Sequence, residues 1–193
     1  MSLLNTRTRV IAAVAFVLFV ATSFNSVSAQ VEAAKPKLGI IGQQAPAWKT
    51  SAWHQLPAGK QKLDITDYQG KVLYLYFFQS WCPGCHSSGF PTLKKISDAF
   101  AGDTSVAFVA IQTTFEGHSI NTAGKLKTVA DRHGLKIPFG QSAERSGTPD
   151  IMRKYRTGGT PWVVVIDRQG RVIYNGFHVD ADAAIKGIRQ LAQ

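Results

Sequence analysis

The sequence predicts an α/β domain built on a mixed β-sheet, and three observations carry this prediction. Two runs of strand length, 71–79 and 105–112, are rich in β-branched and aromatic residues, as is typical of strands buried on both faces. Each run is followed by a segment with helical periodicity. Near the C-terminus, the turn at 167–170 separates two more strand-like runs and predicts a hairpin. This order of elements indicates a mixed sheet flanked by helices.

Residues 43–70 precede the first buried strand and predict short strands or turns that cover an edge of the sheet, as an N-terminal β extension. The first helix is predicted after the strand 71–79, and Gly102 ends it. Pro91 lies within that helix and is expected to kink it, because proline removes the hydrogen bond to the carbonyl of Ser87. The apolar residues at helical spacing are Phe90, Leu93, Ile96 and Phe100.

The second half of the chain continues the alternation of strands and helices. Its helices are predicted by apolar periodicity and its strands by short apolar runs. The C-terminal helix is amphipathic. The predicted elements are helices at 121–133, 149–156 and 180–191 and strands at 162–166 and 171–174.

The N-terminus has the layout of a secretory signal. Arg7 and Arg9 precede an uncharged apolar stretch at 10–21, and small residues follow it. The apolar core is shorter than the roughly 20 residues that cross a bilayer. We therefore predict a signal peptide at 1–29, cleaved after Ala29, and a periplasmic location. A signal that is retained would tether the protein to the membrane.

The rest of the chain predicts a linker at 30–42 and a single domain at 43–193, long enough to bury a core of its own. The net charge of +10 is spread along the chain, which is typical of a solvated surface. A nucleic-acid partner is not expected for an exported protein without a stripe of basic and aromatic residues. The charge is compatible with an anionic membrane face or an acidic partner protein.

The only two cysteines, Cys82 and Cys85, lie in the run 81–86 directly after the first buried strand. A disulfide scaffold would need several bridges, so a lone C-x-x-C pair in an exported chain favours redox chemistry. If a helix begins here, Cys82 is its N-cap and Pro83 takes the first helical position, where proline is favoured. The helix dipole then favours a Cys82 thiolate, the form that attacks a disulfide.

His86 lies four residues after Cys82, which is about one helical turn. Its imidazolium is therefore a candidate for stabilising the thiolate further. The alternative is a side chain that points to solvent and takes no part in the chemistry.

Several motifs together resemble the thioredoxin-like fold. The lead-in Ala45-Pro46 and the run 165–170 make the chain similar to the exported TlpA/ResA/CcmG branch of that fold, which is related to the redoxin (AhpC/TSA) group. The resemblance covers most of 42–193. Its motifs are the strand 72–78 followed by Trp81, Cys82, Pro83, Gly84 and Cys85, the helix proline Pro91, and Gly159-Thr160-Pro161 before an apolar strand.

The resemblance implies roles for these residues. Cys82 is the implied nucleophile, Cys85 resolves the mixed disulfide, and the two form a redox-active disulfide. The Thr160–Pro161 peptide is implied to be cis and to border the groove that binds the substrate. The implied activity is thiol–disulfide exchange with protein thiols, without a cofactor.

The resemblance also implies a membrane-bound electron donor or acceptor, and it favours a reductase that serves cytochrome c maturation. A stabilised thiolate, in contrast, favours an oxidising potential. The net direction of electron transfer therefore stays open at this point.

The chain departs from the family pattern beside the second cysteine. Relatives often place a carboxylate there to move the proton of that thiol, whereas the corresponding positions here hold Tyr76 and the pair Ser88-Gly89. His86 and water are other candidates for the proton acceptor. The acids that the fold would have to bring close instead are Asp64, Asp67 and Glu116.

Two alternative functions use the same residues. The run Cys82 to His86 matches the C-x-x-C-H motif for covalent attachment of a c-type haem, but the motif follows a buried strand in an α/β chain. Cys82, Cys85 and His86 also suit copper or zinc, as in a thioredoxin-like copper chaperone. That interpretation needs another ligand, for which the candidates are His118, His133 and His178.

Peroxide reduction and a purely binding role are two further alternatives. The peroxidatic pattern P-x-x-x-T-x-x-C is absent, because Leu75 and Gln79 occupy its proline and threonine positions. A binding module would keep its function after alkylation of Cys82, whereas disulfide exchange would be lost.

Overall fold

The structure is a computed structural model, and it describes residues 37–144 and 146–193. The predicted signal peptide at 1–29, with its cleavage after Ala29, and the first part of the predicted linker lie outside the described residues. No helix in the described part of the chain is long and apolar enough to cross a membrane.

Six strands of the described chain form one mixed sheet, which confirms the predicted fold class. The strands are β1 (Thr50–His54), β2 (Val72–Phe78), β3 (Val106–Gln112), β4 (Phe139–Ser142), β5 (Trp162–Ile166) and β6 (Val172–Gly176). Their order across the sheet is β1-β4-β3-β2-β5-β6. β2, β3 and β4 are parallel, whereas β1, β5 and β6 pair antiparallel with their neighbours.

Four α-helices of the described chain pack around the sheet. They are α1 (Phe90–Ala99), α2 (Lys125–Arg132), α3 (Asp150–Tyr155) and α4 (Ala181–Ala192). The predicted hairpin is present as β5 and β6, and at its turn the Asp167 carboxylate accepts two backbone N–H bonds. The C-terminal helix α4 is capped by Asp180, whose carboxylate accepts from the backbone N–H of Ala183.

Strand β2 lies inside the sheet and is buried on both faces, as predicted. Its side chains alternate between two hydrophobic clusters, because successive residues of a strand point to opposite faces. One cluster contains side chains of α1, α2 and α4 and the other contains those of α3. The residues of β2 in the first cluster are Val72, Tyr74, Tyr76 and Phe78, and those in the second are Leu73, Leu75 and Phe77.

The sequence-based prediction missed strand β4. Two of its four residues, Gln141 and Ser142, are polar, so the strand lacks the apolar run that identifies the others. All four residues are nevertheless buried, because β1 and β3 flank the strand on either side. Gly140 lets Trp53 of β1 pack against the backbone, since a Cβ there would lie 2.9 Å from that ring.

The helix that follows the cysteines widens ahead of Pro91, whereas the sequence predicts a kink at that proline. The distortion is a π-helical turn at Cys85–Gly89, in which the backbone N–H of Phe90 donates to the carbonyl of Cys85. Pro91 then lies in the first turn of α1, where its missing N–H is tolerated. A wider turn therefore accommodates the proline.

The last residues of the predicted linker pack on the domain. The backbone N–H of Gly39 donates to the carbonyl of Arg156 (2.9 Å), and that of Gly42 donates to the carbonyl of Val172 (2.8 Å). Ile40 between them is buried in the cluster that contains α3. Packed structure therefore begins ahead of the predicted domain boundary at residue 43.

Candidate active site

Cys82 caps the helix that carries Cys85, as the sequence predicts. Its backbone N–H donates to the carbonyl of Gln79 (3.1 Å), which ends the extended segment after β2. Its Sγ accepts from the backbone N–H of Cys85 (3.3 Å). Pro83 and Gly84 take the first two helical positions. The sulfur therefore occupies the place of a capping oxygen at the positive end of the helix dipole, where negative charge is favoured.

The Thr160–Pro161 peptide lies against the cysteine motif and is cis, as the resemblance implied. The thiol of Cys82 donates to the carbonyl of Thr160, with 3.6 Å between sulfur and oxygen. A Cβ at Gly84 would lie 3.4 Å from Cδ of Pro161, so the glycine lets the two loops pack closely. The structure thus brings together residues that are about 80 positions apart in the chain.

The two cysteines are free thiols with different surroundings. Cys82 is 8% exposed beside Trp81, which is 45% exposed, whereas Cys85 has no exposed surface. Burial and then the neighbouring Cys82 raise the pKa of the Cys85 thiol, the Gln79 backbone and the Tyr76 hydroxyl lower it, and the net result is a pKa of about 12. Cys85 is therefore protonated at neutral pH, and Cys82 is the sulfur that a substrate can reach.

The candidate acids do not act on Cys85. The Asp64 carboxylate accepts from the backbone N–H groups of Trp48 (2.8 Å) and Ile65 (2.7 Å), so it serves as a cap. Asp67 pairs with Lys60 at 2.6 Å. The largest influences on the pKa of Cys85 come from burial, Cys82, Gln79 and Tyr76, and none of these is a carboxylate.

The ring of His86 is braced between a loop and a neighbouring helix. Its Nε2 lies 2.7 Å from the carbonyl oxygen of Ser80, and it must donate because a carbonyl only accepts. Its Nδ1 lies 2.8 Å from Nε2 of His133, which follows α2. Both ring nitrogens are thus engaged away from Cys82, and neither points freely to solvent. A direct action of His86 on Cys82 stays a prediction.

His133 completes this brace, whereas the sequence analysis named it only as a candidate metal ligand. Its ring stacks on Phe90 with centroids 4.4 Å apart. Partial burial, then the positive charges of His86 and Arg132, lower the pKa of His133 to about 4. His133 is therefore neutral at physiological pH, and its Nε2 forms a hydrogen bond with Nδ1 of His86.

A buried polar network also escaped the sequence analysis. Oε1 of Gln112 accepts from the backbone N–H of Ser80 (3.1 Å), and Nε2 of Gln112 donates to Oε1 of Gln141 (2.6 Å). The Ser80 hydroxyl donates to Oδ1 of Asn121 (2.9 Å). These bonds fix the segment that leads into Cys82, because buried polar groups are held by the partners that satisfy them.

One pattern in the sequence points to this network. Gln79 directly follows β2, and Gln112 is the last residue of the parallel strand β3. Both are almost fully buried, and each directly follows a run of apolar residues. Polar residues at the carboxyl ends of adjacent parallel strands are a common signal of a functional site.

The metal and haem alternatives are not favoured by this geometry. Within residues 37–144 and 146–193, no three side chains of His, Cys, Asp or Glu come together as a metal-binding group. Neither His118 nor His178 therefore joins the cysteines and His86 in a ligand shell. The C-x-x-C-H run sits on an α/β scaffold rather than in a helical haem domain.

Comparisons with known proteins agree with the fold. The redoxin family model matches residues 40–190. The thiol-disulfide oxidoreductase ResA of Bacillus thuringiensis is 24% identical over 133 residues, which cover 69% of this chain and 67% of that protein. A solved thiol-disulfide isomerase from Corynebacterium glutamicum has a TM-score of 0.65 and 29% identity, covering 77% of this chain and 97% of that one.

Nucleoredoxin of Mus musculus is 27% identical over 116 residues, which are 58% of this chain and 24% of nucleoredoxin. The chain thus spans about a quarter of that relative's length. The redoxin match, in contrast, extends over most of the chain and includes Cys82, Cys85 and the Thr160–Pro161 peptide. These findings confirm the predicted resemblance. The chain belongs to the redoxin family, as a thioredoxin-like protein of the TlpA/ResA/CcmG type.

Proposed function

We propose that the protein is a periplasmic thiol–disulfide oxidoreductase that reduces disulfides of exported proteins and serves cytochrome c maturation. The enzyme class is that of the related ResA and of the Corynebacterium isomerase. One observation carries the activity. The Cys82 sulfur lies at a helix N-terminus, 3.3 Å from the Cys85 backbone nitrogen and 3.6 Å from the Thr160 carbonyl oxygen.

The exchange proceeds in two steps. The Cys82 thiolate attacks one sulfur of a substrate disulfide, forms a mixed disulfide and releases the other substrate sulfur as a thiolate. Cys85 then loses its proton to solvent and attacks Cys82, which frees the second substrate thiolate. The substrate gains two electrons, and the Cys82–Cys85 pair becomes a disulfide.

The substrate lies between an exposed aromatic ring and the cis peptide in this proposal. Trp81 exposes 45% of its surface beside Cys82, and large exposed apolar side chains favour contact with a protein partner. On the other side, the Thr160–Pro161 backbone borders the sulfur. An extended segment of an unfolded or partly folded protein fits between them better than a small molecule does.

The periplasmic location is supported by the pattern at 1–29, with its two arginines and uncharged apolar stretch. The mature N-terminus is expected at Gln30, which mass spectrometry of the purified protein would show. In the variant Ala29→Phe, a bulky residue replaces the small one before the cleavage site, so the chain should keep its signal and remain with the membrane. An intact Met1 in the wild-type protein would contradict cleavage and indicate a membrane tether.

The direction of electron transfer is tested by the redox state of the pair in living cells. Rapid acid quenching followed by alkylation should find Cys82 and Cys85 mostly reduced, because a membrane-bound donor supplies electrons. The redox potential of the purified pair against glutathione completes the measurement. A fully oxidised pair in cells would contradict the reductase and indicate an oxidase.

The role in cytochrome c maturation is tested genetically. A strain without the gene should lose covalently bound haem in its c-type cytochromes, because haem attachment needs reduced cysteines in the acceptor chain. Wild-type protein should restore it, and the Cys82→Ser variant should not. Unchanged haem attachment in the deletion strain would assign the enzyme to other exported substrates.

A further inference from the structure

Tyr76 is a buried tyrosine that the exchange mechanism has not yet used. It lies on β2 and has no exposed surface. Its ring stacks on Phe78 (6.3 Å between centroids) and meets Phe90 edge-on at 5.1 Å. Its hydroxyl oxygen is buried and has no hydrogen-bond partner among the described residues. Burial of an unpaired hydroxyl is costly, so its surroundings call for an explanation.

The hydroxyl reaches the helix on the face that Cys85 occupies. A Cβ at Gly89 would lie 2.0 Å from the Tyr76 hydroxyl oxygen, so the hydroxyl fills the space that the missing side chain leaves. Gly89 follows Cys85 by four residues in the same π-helical turn, and residues at that spacing share a helix face. Gly89 therefore makes room for the Tyr76 hydroxyl on the helix face that carries Cys85.

The contact is consistent with the electrostatics at both groups. The proximity of the Tyr76 hydroxyl lowers the pKa of Cys85, against the larger effect of burial. Burial, and then the neighbouring Cys85, raise the pKa of Tyr76, so the phenol keeps its proton. A protonated phenol beside a sulfur is a hydrogen-bond donor and not a base.

We propose that the unpaired Tyr76 hydroxyl donates a hydrogen bond to the Cys85 sulfur once that thiol loses its proton, and so stabilises the thiolate that resolves the mixed disulfide. The inference rests on the proposed exchange at Cys82 and Cys85. Tyr76 thus takes the place of the carboxylate that relatives use there, but it acts as a donor to the thiolate rather than as an acceptor of its proton. Charge-assisted hydrogen bonds of this kind are the strong ones.

The resolving step balances with solvent as the acceptor of the proton. Cys85 releases its proton to water, and its sulfur forms a bond to Cys82 Sγ while the bond from Cys82 to the substrate sulfur breaks. The substrate thiolate leaves with the electron pair and takes up a proton from solvent. A cavity of about 130 Å³ beside the Tyr76 ring, with Ser88 and Thr92 in its wall, is large enough to admit water.

The test removes the hydroxyl and keeps the ring, in the variant Tyr76→Phe. Tyr74→Phe is a matched control, because Tyr74 lies two residues away on the same face of β2 and its hydroxyl is equally buried and unpaired. Neither change removes the partner of another polar group, so both variants should fold. Thermal unfolding of each variant checks this.

The reaction of the reduced full-length protein with the aromatic disulfide DTNB separates the two steps. Attack by Cys82 releases the first coloured thiolate, and resolution by Cys85 releases the second. In Tyr76→Phe, the second phase should slow by about ten- to hundredfold and its pH profile should move to higher pH, because a charge-assisted hydrogen bond is lost. The first phase should stay unchanged, and Tyr74→Phe should match the wild type in both phases.

The outcomes are distinguishable. A second phase in Tyr76→Phe with the rate and pH profile of the wild type would overturn the role of Tyr76 and leave the exchange intact. Absence of the first phase in the wild-type protein would refute the exchange itself, and the inference with it. Gly89→Ala gives an independent check, since its Cβ displaces the hydroxyl while Tyr76 is retained, and the second phase should slow there too.

Discussion

Cys82 and Cys85 are three residues apart, yet their surroundings are opposite. Cys82 caps a helix, lies beside an exposed tryptophan and donates to a loop carbonyl. Cys85 points into the core, where burial raises the pKa of its thiol to about 12 and where a tyrosine hydroxyl is its neighbour. The difference shows how one turn of helix separates the two roles. The outer sulfur meets the substrate, and the inner sulfur is held back until the mixed disulfide has formed.

This asymmetry follows from the position of each cysteine on the helix. The N-cap lies outside the helical turn, so its side chain faces the loops. The third position after it faces the sheet, where β2 presents Tyr76 and Phe78. The surroundings that distinguish the two thiols are therefore provided by the fold and not by the cysteines themselves.

The largest effect is expected from replacing either cysteine by serine. Cys82→Ser should abolish the first phase of the DTNB reaction, by at least about a thousandfold, because the nucleophile is lost. Cys85→Ser should keep the first phase and stop at a stable mixed disulfide, which intact-mass measurement would show as an adduct. Mixed disulfide at position 85 of the Cys82→Ser variant, formed at the wild-type rate, would contradict the asymmetry.

A large effect on stability is expected at Gln112, which supports the outer cysteine. Gln112→Leu leaves the Ser80 backbone N–H and the Oε1 atom of Gln141 without the bonds that Gln112 makes to them. The loss should cost about 2–4 kcal/mol of unfolding free energy in urea titrations. Gln61→Leu, at an exposed position, is the control and should change stability by less than about 0.5 kcal/mol. Equal stability of the two variants would mean that the network does not fix this segment.

A pair of glycines tests the space beside the inner cysteine. Gly89→Ala places a Cβ 2.0 Å from the Tyr76 hydroxyl oxygen, and the overpacking should cost about 1–3 kcal/mol. Gly187→Ala in α4 meets nothing within 4 Å and should stabilise the protein by about 0.5–1 kcal/mol, because alanine favours helix. Denaturant titration of both variants measures the contrast. A neutral Gly89→Ala would show that the hydroxyl does not need this space.

The smallest effect is expected from the histidine brace behind the outer cysteine. The pKa of His133 is about 4 in the folded protein, against an ordinary value of 6.5. Between these values the unfolded chain binds more protons, so stability is present above pH 6.5 and is lost as the pH falls toward 4. His133→Gln should weaken this loss. Urea titrations at pH 6.5 and at pH 4 measure the loss of stability. An identical pH dependence in the variant would show that His133 does not cause it.

The sequence predicts those parts of the fold whose local signals are strong. Strand β5 occupies the predicted range 162–166, because a long apolar run and turn residues mark it. β2 is shorter than its prediction by one residue at each end, and β3 by one residue at its start. Strand β4 escapes prediction because half of it is polar, and its burial comes from its neighbours. The cap geometry of Cys82 is predictable from Pro83 alone, since proline favours the first helical position.

The sequence does not predict contacts that depend on the folded sheet. Tyr76 and Gly89 are recognisable as departures from a family pattern, but their mutual contact appears only when β2 faces the helix. His133 and Gln112 join the site from α2 and β3, far away in the chain. His133 carries no local signal for this role. Gln112 has one, as a polar residue at the end of an apolar strand, but tertiary packing decides the partners of both residues.

Alkylation of the reduced protein tests whether Cys82 and Cys85 differ in reactivity. Iodoacetamide labelling near neutral pH, followed by mass spectrometry of the two cysteine positions, measures the reactivity of each thiol in the same molecule. Cys82 should be modified at least about tenfold faster than Cys85, and Cys85 should become reactive only at strongly alkaline pH. Equal rates at the two cysteines, or faster modification of Cys85, would contradict this prediction.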